Sequence, residues 1–146
     1  MEDAVLDSDA LIEAYEAGIS KFDGLHTTCI SLYEFLRGLA YLKKDVAEYM
    51  GYVESHLEVL PLDTAAVGEA SRIYGELRRQ GALVEDPDLL IAGMCIVNGL
   101  PLVTGNVKHF ERFRRFGLTV ERFGLTVGRF GLTVEQFRHA VGRFGR

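Results

Sequence analysis

An α/β fold with a mainly parallel sheet and helices on both faces follows from three features of the sequence. Short apolar runs alternate with segments whose apolar residues recur at helical spacing, and polar or glycine-containing junctions separate them. The chain has 146 residues, 48% hydrophobic and 25% charged, which suits one domain with one substantial core. The first element is a strand over residues 4–6 (Ala4, Val5, Leu6). It ends at Asp7-Ser8-Asp9, and Ala10, Leu11, Ala14 and Tyr15 then mark a helix. Gly24 closes that unit. Thr27 to Ile30 lead to Ser31, the expected N-cap of a helix carrying Leu32, Phe35, Leu36 and Leu39, and a further helix is expected over residues 43–56.

Residues 58–62, with Pro61 near the end, read as a strand, and Asp63 caps a long helix that Gly81 stops. Pro87 suits the first turn of a helix opening at Asp86-Pro87-Asp88; its apolar run, 89–97, implies packing on several sides, and Asn98-Gly99 ends it. Residues 101–104 read as a buried strand. Gly105-Asn106 follows as a turn, then a short helix through Val107, Phe110 and Phe113, and a last strand over 118–120. The segment Arg-Phe-Gly-Leu-Thr-Val begins at Arg115, Arg122 and Arg129, a period of seven. Its glycines and β-branched residues disfavour a coiled coil, and an odd period would alternate the faces of a continuous strand. The domain is therefore placed at residues 1–121, with 122–146 an Arg/Phe repeat tail, either without fixed structure or adding short β segments.

The formal charge of -5 conceals two halves. Residues 1–110 hold 8 basic and 18 acidic side chains, net -10, whereas 111–146 hold 8 and 3, net +5. An acidic body ordinarily argues against nucleic acid as a partner. Cys29 and Cys95 lie in apolar stretches without metal-ligand spacing, so buried thiols and a reducing compartment are expected. The acidic N-terminus and the absence of a long apolar run suggest a cytoplasmic protein without a membrane segment.

Functional residues of an open parallel sheet collect beyond the carboxyl ends of its strands and at nearby helix starts. Asp7, Glu34, Asp88 and Asn106 meet that rule. Each also has a structural reading: Asp7 or Asp9 as a helix cap, Ser31 with Glu34 as a capping box, Asp88 as a first-turn charge, Asn106 as a turn residue. Brought together, the three carboxylates would repel, and hard divalent cations such as Mg²⁺ or Mn²⁺ relieve that repulsion through oxygen ligands.

Four blocks carry a resemblance: Val5-Leu6-Asp7-Ser8-Asp9-Ala10-Leu11-Ile12, Ser31 to Gly38, Asp86-Pro87-Asp88-Leu89-Leu90-Ile91-Ala92, and Leu102 to Phe110. In this order, over residues 5–120, the chain resembles a PIN domain of the VapC-like toxin group. The resemblance implies a metal-dependent endoribonuclease, the toxin of a type II toxin-antitoxin pair, with Asp7, Glu34 and Asp88 as the acidic ligands of Mg²⁺ or Mn²⁺. It places Asn106 where many PIN domains carry a fourth acid, and His109 where many toxins of this group carry Asp. Ser8, Asp9, Thr104 and His109 become supporting or phosphate-binding positions. The implied partners are RNA, a cognate antitoxin and a second copy of the chain in a homodimer. The implied chemistry is hydrolysis by metal-activated water, which also reconciles an acidic pocket with phosphate. Because Asn106 replaces an acid, a second expectation stands beside it: a catalytically weakened PIN domain that mainly binds an antitoxin or RNA.

Overall fold

Val5 and Leu6 are both wholly buried yet belong to different hydrophobic clusters, because successive side chains of a strand point to opposite faces. This two-residue strand, β1 (Val5–Leu6), is the middle of the sheet. The computed structural model describes residues 3–123. The five strands run in the order β3-β2-β1-β4-β5, where β2 is His26–Thr28, β3 is Glu58–Leu60, β4 is Leu102–Thr104 and β5 is Val120–Arg122. Every pairing among the described residues is parallel, as the mainly parallel sheet of the sequence expectation requires. Helices cover both faces, as such a sheet requires.

On the Leu6 side, α1 (Ser8–Gly18) and α2 (Cys29–Tyr41) deliver Leu11, Ala14, Phe35 and Leu39, and the short helix α3 (Val46–Glu54) adds Val53. On the Val5 side, α4 (Thr64–Arg79) and α5 (Asp86–Asn98) contribute Ile73, Leu77, Leu89, Ile91 and Met94. Gly93 lets those two helices touch backbone to backbone: a Cβ there would lie 2.8 Å from the Ala66 carbonyl oxygen and 3.2 Å from the Ala70 nitrogen.

Several element boundaries differ from the sequence expectation. Ser31 is not the N-cap of α2. Thr28 is, its Oγ1 accepting from the Ser31 backbone N–H at 2.9 Å, and Ser31 is itself buried in the first turn. Glu34 therefore takes no part in a capping box. The helix expected over 43–56 shrinks to α3, since Lys43 has a left-handed φ of 60° and Asp45 supplies the cap. The last strand begins at Val120, because a 3-10 turn over Glu111–Phe116 ends at Gly117 with φ 106° and Leu118 N–H still bonds back to Phe113. Arg122 completes β5, and the Phe123 ring is wholly buried, 5.8 Å from that of Phe22, so the ordered domain extends past the boundary at 121 expected from sequence. The rest of the expected tail, 124–146, lies outside the described residues. Cys95 is buried and Cys29 half-buried; both are free thiols. No described helix is long and apolar enough to cross a membrane.

Candidate functional site

All five strands point the same way, so β1 and β4 end side by side, and Asp7 and Thr104 meet there across 97 residues of chain. Thr104 Oγ1 donates to Asp7 Oδ2 at 2.5 Å, while Asp7 Oδ1 accepts from the Ala10 backbone N–H at 3.1 Å. Asp7 is thus the N-cap of α1 and also stands at the carboxyl edge of the sheet beside Thr104, so capping does not exclude a site role. It is 4% exposed, and Thr104 is wholly buried. Burial pushes the Asp7 carboxyl up from 3.8 to about 7, against the lowering effect of its two hydrogen bonds and with further upward pressure from Asp9 and Glu34.

Glu34 projects from α2, half-buried. Burial raises its pKa; a hydrogen bond from the Ser8 side chain and the charge of Arg37, 3.9 Å away, pull it down, and Asp88 and Asp9 push it up. Asp88 lies in the first turn of α5, with 15% of its side chain exposed, and its Oδ2 bonds His109 Nε2. Asn106 is the exposed residue at the start of α6 (Val107–Phe110), and its backbone N–H donates to Thr104 Oγ1 at 3.0 Å. Thr104 therefore joins the acid after β1 to the turn after β4.

The fold brings Asp7 to Thr104, Ser8 to Glu34 and His109 to Asp88, and the charges of Asp7, Asp9, Glu34 and Asp88 act on one another through space. Among the described residues, no three Asp, Glu, His or Cys side chains stand close enough to form a closed ligand cage. The donor chemistry nevertheless suits a hard dication: carboxylate oxygens predominate, and burial together with neighbouring carboxylates raises the pKa of both Asp7 and Glu34. A nearby dication would oppose that rise.

Glu13 was not singled out from sequence. Burial raises its carboxyl to about 7, with Asp9 and Asp7 adding to the effect. The signal was present: Glu13 follows Asp9 by four residues and so shares its face of α1.

The geometry defines a class, a parallel α/β domain whose acids gather at the carboxyl edge of the sheet. A model of the PIN domain family matches residues 3–115, and the chain belongs to that family. Ribonuclease VapC1 of Methanocaldococcus jannaschii is 31% identical over 117 residues, covering 80% of this chain and 85% of that protein. The crystal structure of DNA-bound VapBC from Salmonella typhimurium superposes with a TM-score of 0.65 at 28% identity, over 84% of this chain and 99% of the other. VapBC2 of Rickettsia felis, bound to a promoter DNA fragment, gives a TM-score of 0.66 at 23% identity over 82% and 98%, a likeness of fold.

Proposed function

We propose that this chain is a metal-dependent endoribonuclease, the toxin of a type II toxin-antitoxin pair acting in the cytoplasm. The observation that carries the reading is the buried Asp7 carboxylate, pinned by Thr104 beside Glu34, Asp9 and Asp88. Asp7, Glu34 and Asp88 would hold Mg²⁺ or Mn²⁺, which when bound supplies positive charge for phosphate and acidity for the attacking water. The remaining work falls to the protein. Thr104 fixes the orientation of Asp7, the Ser8 hydroxyl steers Glu34, and the Asn106 amide, in place of a fourth acid, donates hydrogen bonds to water or phosphate. No side-chain nucleophile is required.

The contact of His109 with Asp88 favours the second reading, a weakened nuclease that chiefly binds, because the imidazole engages an oxygen that a cation would use. RNA cleavage in Mn²⁺ by wild type, Asp7→Asn and Asp88→Asn separates the two. Loss of more than about a hundredfold in both variants with unchanged circular dichroism supports the nuclease. Undiminished cleavage by both ends it, and absence of cleavage by the wild type with retained RNA or antitoxin binding supports the alternative.

The proposed partners are RNA, a cognate antitoxin and a second copy of the chain. The solved structures similar to this chain include VapBC assemblies. An apolar groove of about 460 Å³ lined by Leu32, Tyr33, Leu36 and Met50 offers a helix from a partner an apolar seat. A second groove, lined by Val67, Tyr74 and Leu90, is available for self-association, which light scattering would measure.

A further inference from the structure

Next to the acids lies a cleft of opposite character, of about 470 Å³, lined by Leu83, Glu85, Asn106, Lys108, His109 and Arg112. Its two permanent cations outnumber its one carboxylate, within a body that is net -10 over residues 1–110. Lys108 is exposed and pairs with no carboxylate among the described residues. Arg112 is held in place: Nη1 donates to the Leu83 carbonyl at 2.8 Å, and the guanidinium lies 5.4 Å from the buried Phe113 ring. Its Nε is buried without a hydrogen-bond partner among the described residues. Leu83, 78% exposed, gives the cleft an apolar wall.

The cleft is continuous with the acidic edge. His109 lines it and also bonds Asp88, and Asn106 lines it and also bonds Thr104 through its backbone. A polyanion whose reacting phosphate lies at the acids is therefore met by cations one step along its backbone, where ionic attraction offsets repulsion by the body.

We infer that Lys108 and Arg112 form a subsite for a phosphate of single-stranded RNA neighbouring the one at the acids, with Leu83 against the adjoining base. Lys108 supplies a mobile point charge, and Arg112 a fixed planar donor set. The inference rests on the proposed reading of the acidic edge as the place where RNA is cut, but its binding component can be measured without cleavage.

The test is fluorescence anisotropy with labelled single-stranded RNA and EDTA, on the full chain, for wild type, Lys108→Glu, Arg112→Gln and a control reversal, Lys44→Glu, in the loop between α2 and α3. Lys108→Glu should weaken binding roughly tenfold and lower the slope of log affinity against log salt by about 0.7 or more, the contribution of one single-strand phosphate contact. Arg112→Gln should do likewise, and Arg112→Lys should recover part of the affinity. Lys44→Glu, with the same change in net charge, should stay within about twofold of wild type. Because Arg112 also packs on Phe113, Lys108→Glu decides the matter if the arginine variants fold poorly. Unchanged affinity and slope in Lys108→Glu, an equal loss in Lys44→Glu, or no RNA binding by wild type would overturn the subsite. RNA bound through Lys108 but never cut in Mn²⁺ would sink the nuclease reading and leave the subsite standing.

Discussion

Asp7→Asn gives a stability experiment whose sign is set by the burial of one carboxyl. The Asp7 pKa rises from 3.8 to about 7, and since the group is nearly inaccessible to water this interval corresponds to about 4 kcal/mol. A raised folded-state pKa means that the folded form holds the proton more tightly. Its stabilising effect is complete below 3.8, the unfolded value, and is lost as pH climbs to about 7. Asn has no such proton to lose, and its amide oxygen still accepts from Ala10 N–H while its amine faces Thr104 Oγ1. In EDTA, the variant should match wild type near about pH 4 and exceed it by about 2–4 kcal/mol near about pH 8. Urea denaturation across that range measures the difference directly. Saturating Mg²⁺ or Mn²⁺ should narrow the gap, because an ion at about a hundred times its Kd stabilises the state that binds it by about 2.7 kcal/mol. A difference that stays flat with pH, or a variant less stable than wild type near about pH 8 in EDTA, would refute the argument.

Three further substitutions probe other links in the structure. Thr104→Val removes the hydroxyl that lowers the Asp7 pKa, so the acidic limb of the cleavage profile should move to higher pH; an unmoved limb would mean that Asp7 does not govern it. Gly93→Ala should destabilise by about 2–3 kcal/mol, since its methyl meets Ala66 backbone that no side-chain rotation can clear, and the urea midpoint would report it. Phe123→Ala should cost about 3–5 kcal/mol by emptying a wholly buried site against Phe22, whereas a loss below about 1 kcal/mol would show that the fold ends before Phe123.

Much of the fold was legible because helix boundaries and turns use local chemistry. Asp63 does cap α4, Pro87 does sit in the first turn of α5, and Gly99 takes a left-handed φ of 65°. The misplacements have a common physical origin. Thr28 and Ser31 are both competent caps three residues apart, and only the end of β2 decides between them. Strands of two or three residues are too short to show a period, so neither the central place of β1 nor the start of β5 could be read from alternation. At the candidate site, Asp7 and Asp88 announced themselves by position. Glu13 was accessible through its i,i+4 spacing from Asp9, whereas the His109 contact with Asp88 and the cationic cleft required the packing of α5 and α6, which brings together residues far apart in sequence.

The bond between Asp7 and Thr104 also sets a timetable. The middle strand precedes the other four described strands in the chain, but its neighbour β4 is made 97 residues later, after most of the described helices. Pairing over such a separation forms late, because the intervening chain must first be ordered. Until β4 emerges, Asp7 has no Thr104 to orient it, and Asn106, His109, Lys108 and Arg112 do not yet exist. A nascent or truncated chain therefore presents isolated carboxylates on an unfinished sheet, and the acidic edge and its cationic neighbour come into being together, once β4 and α6 have been made.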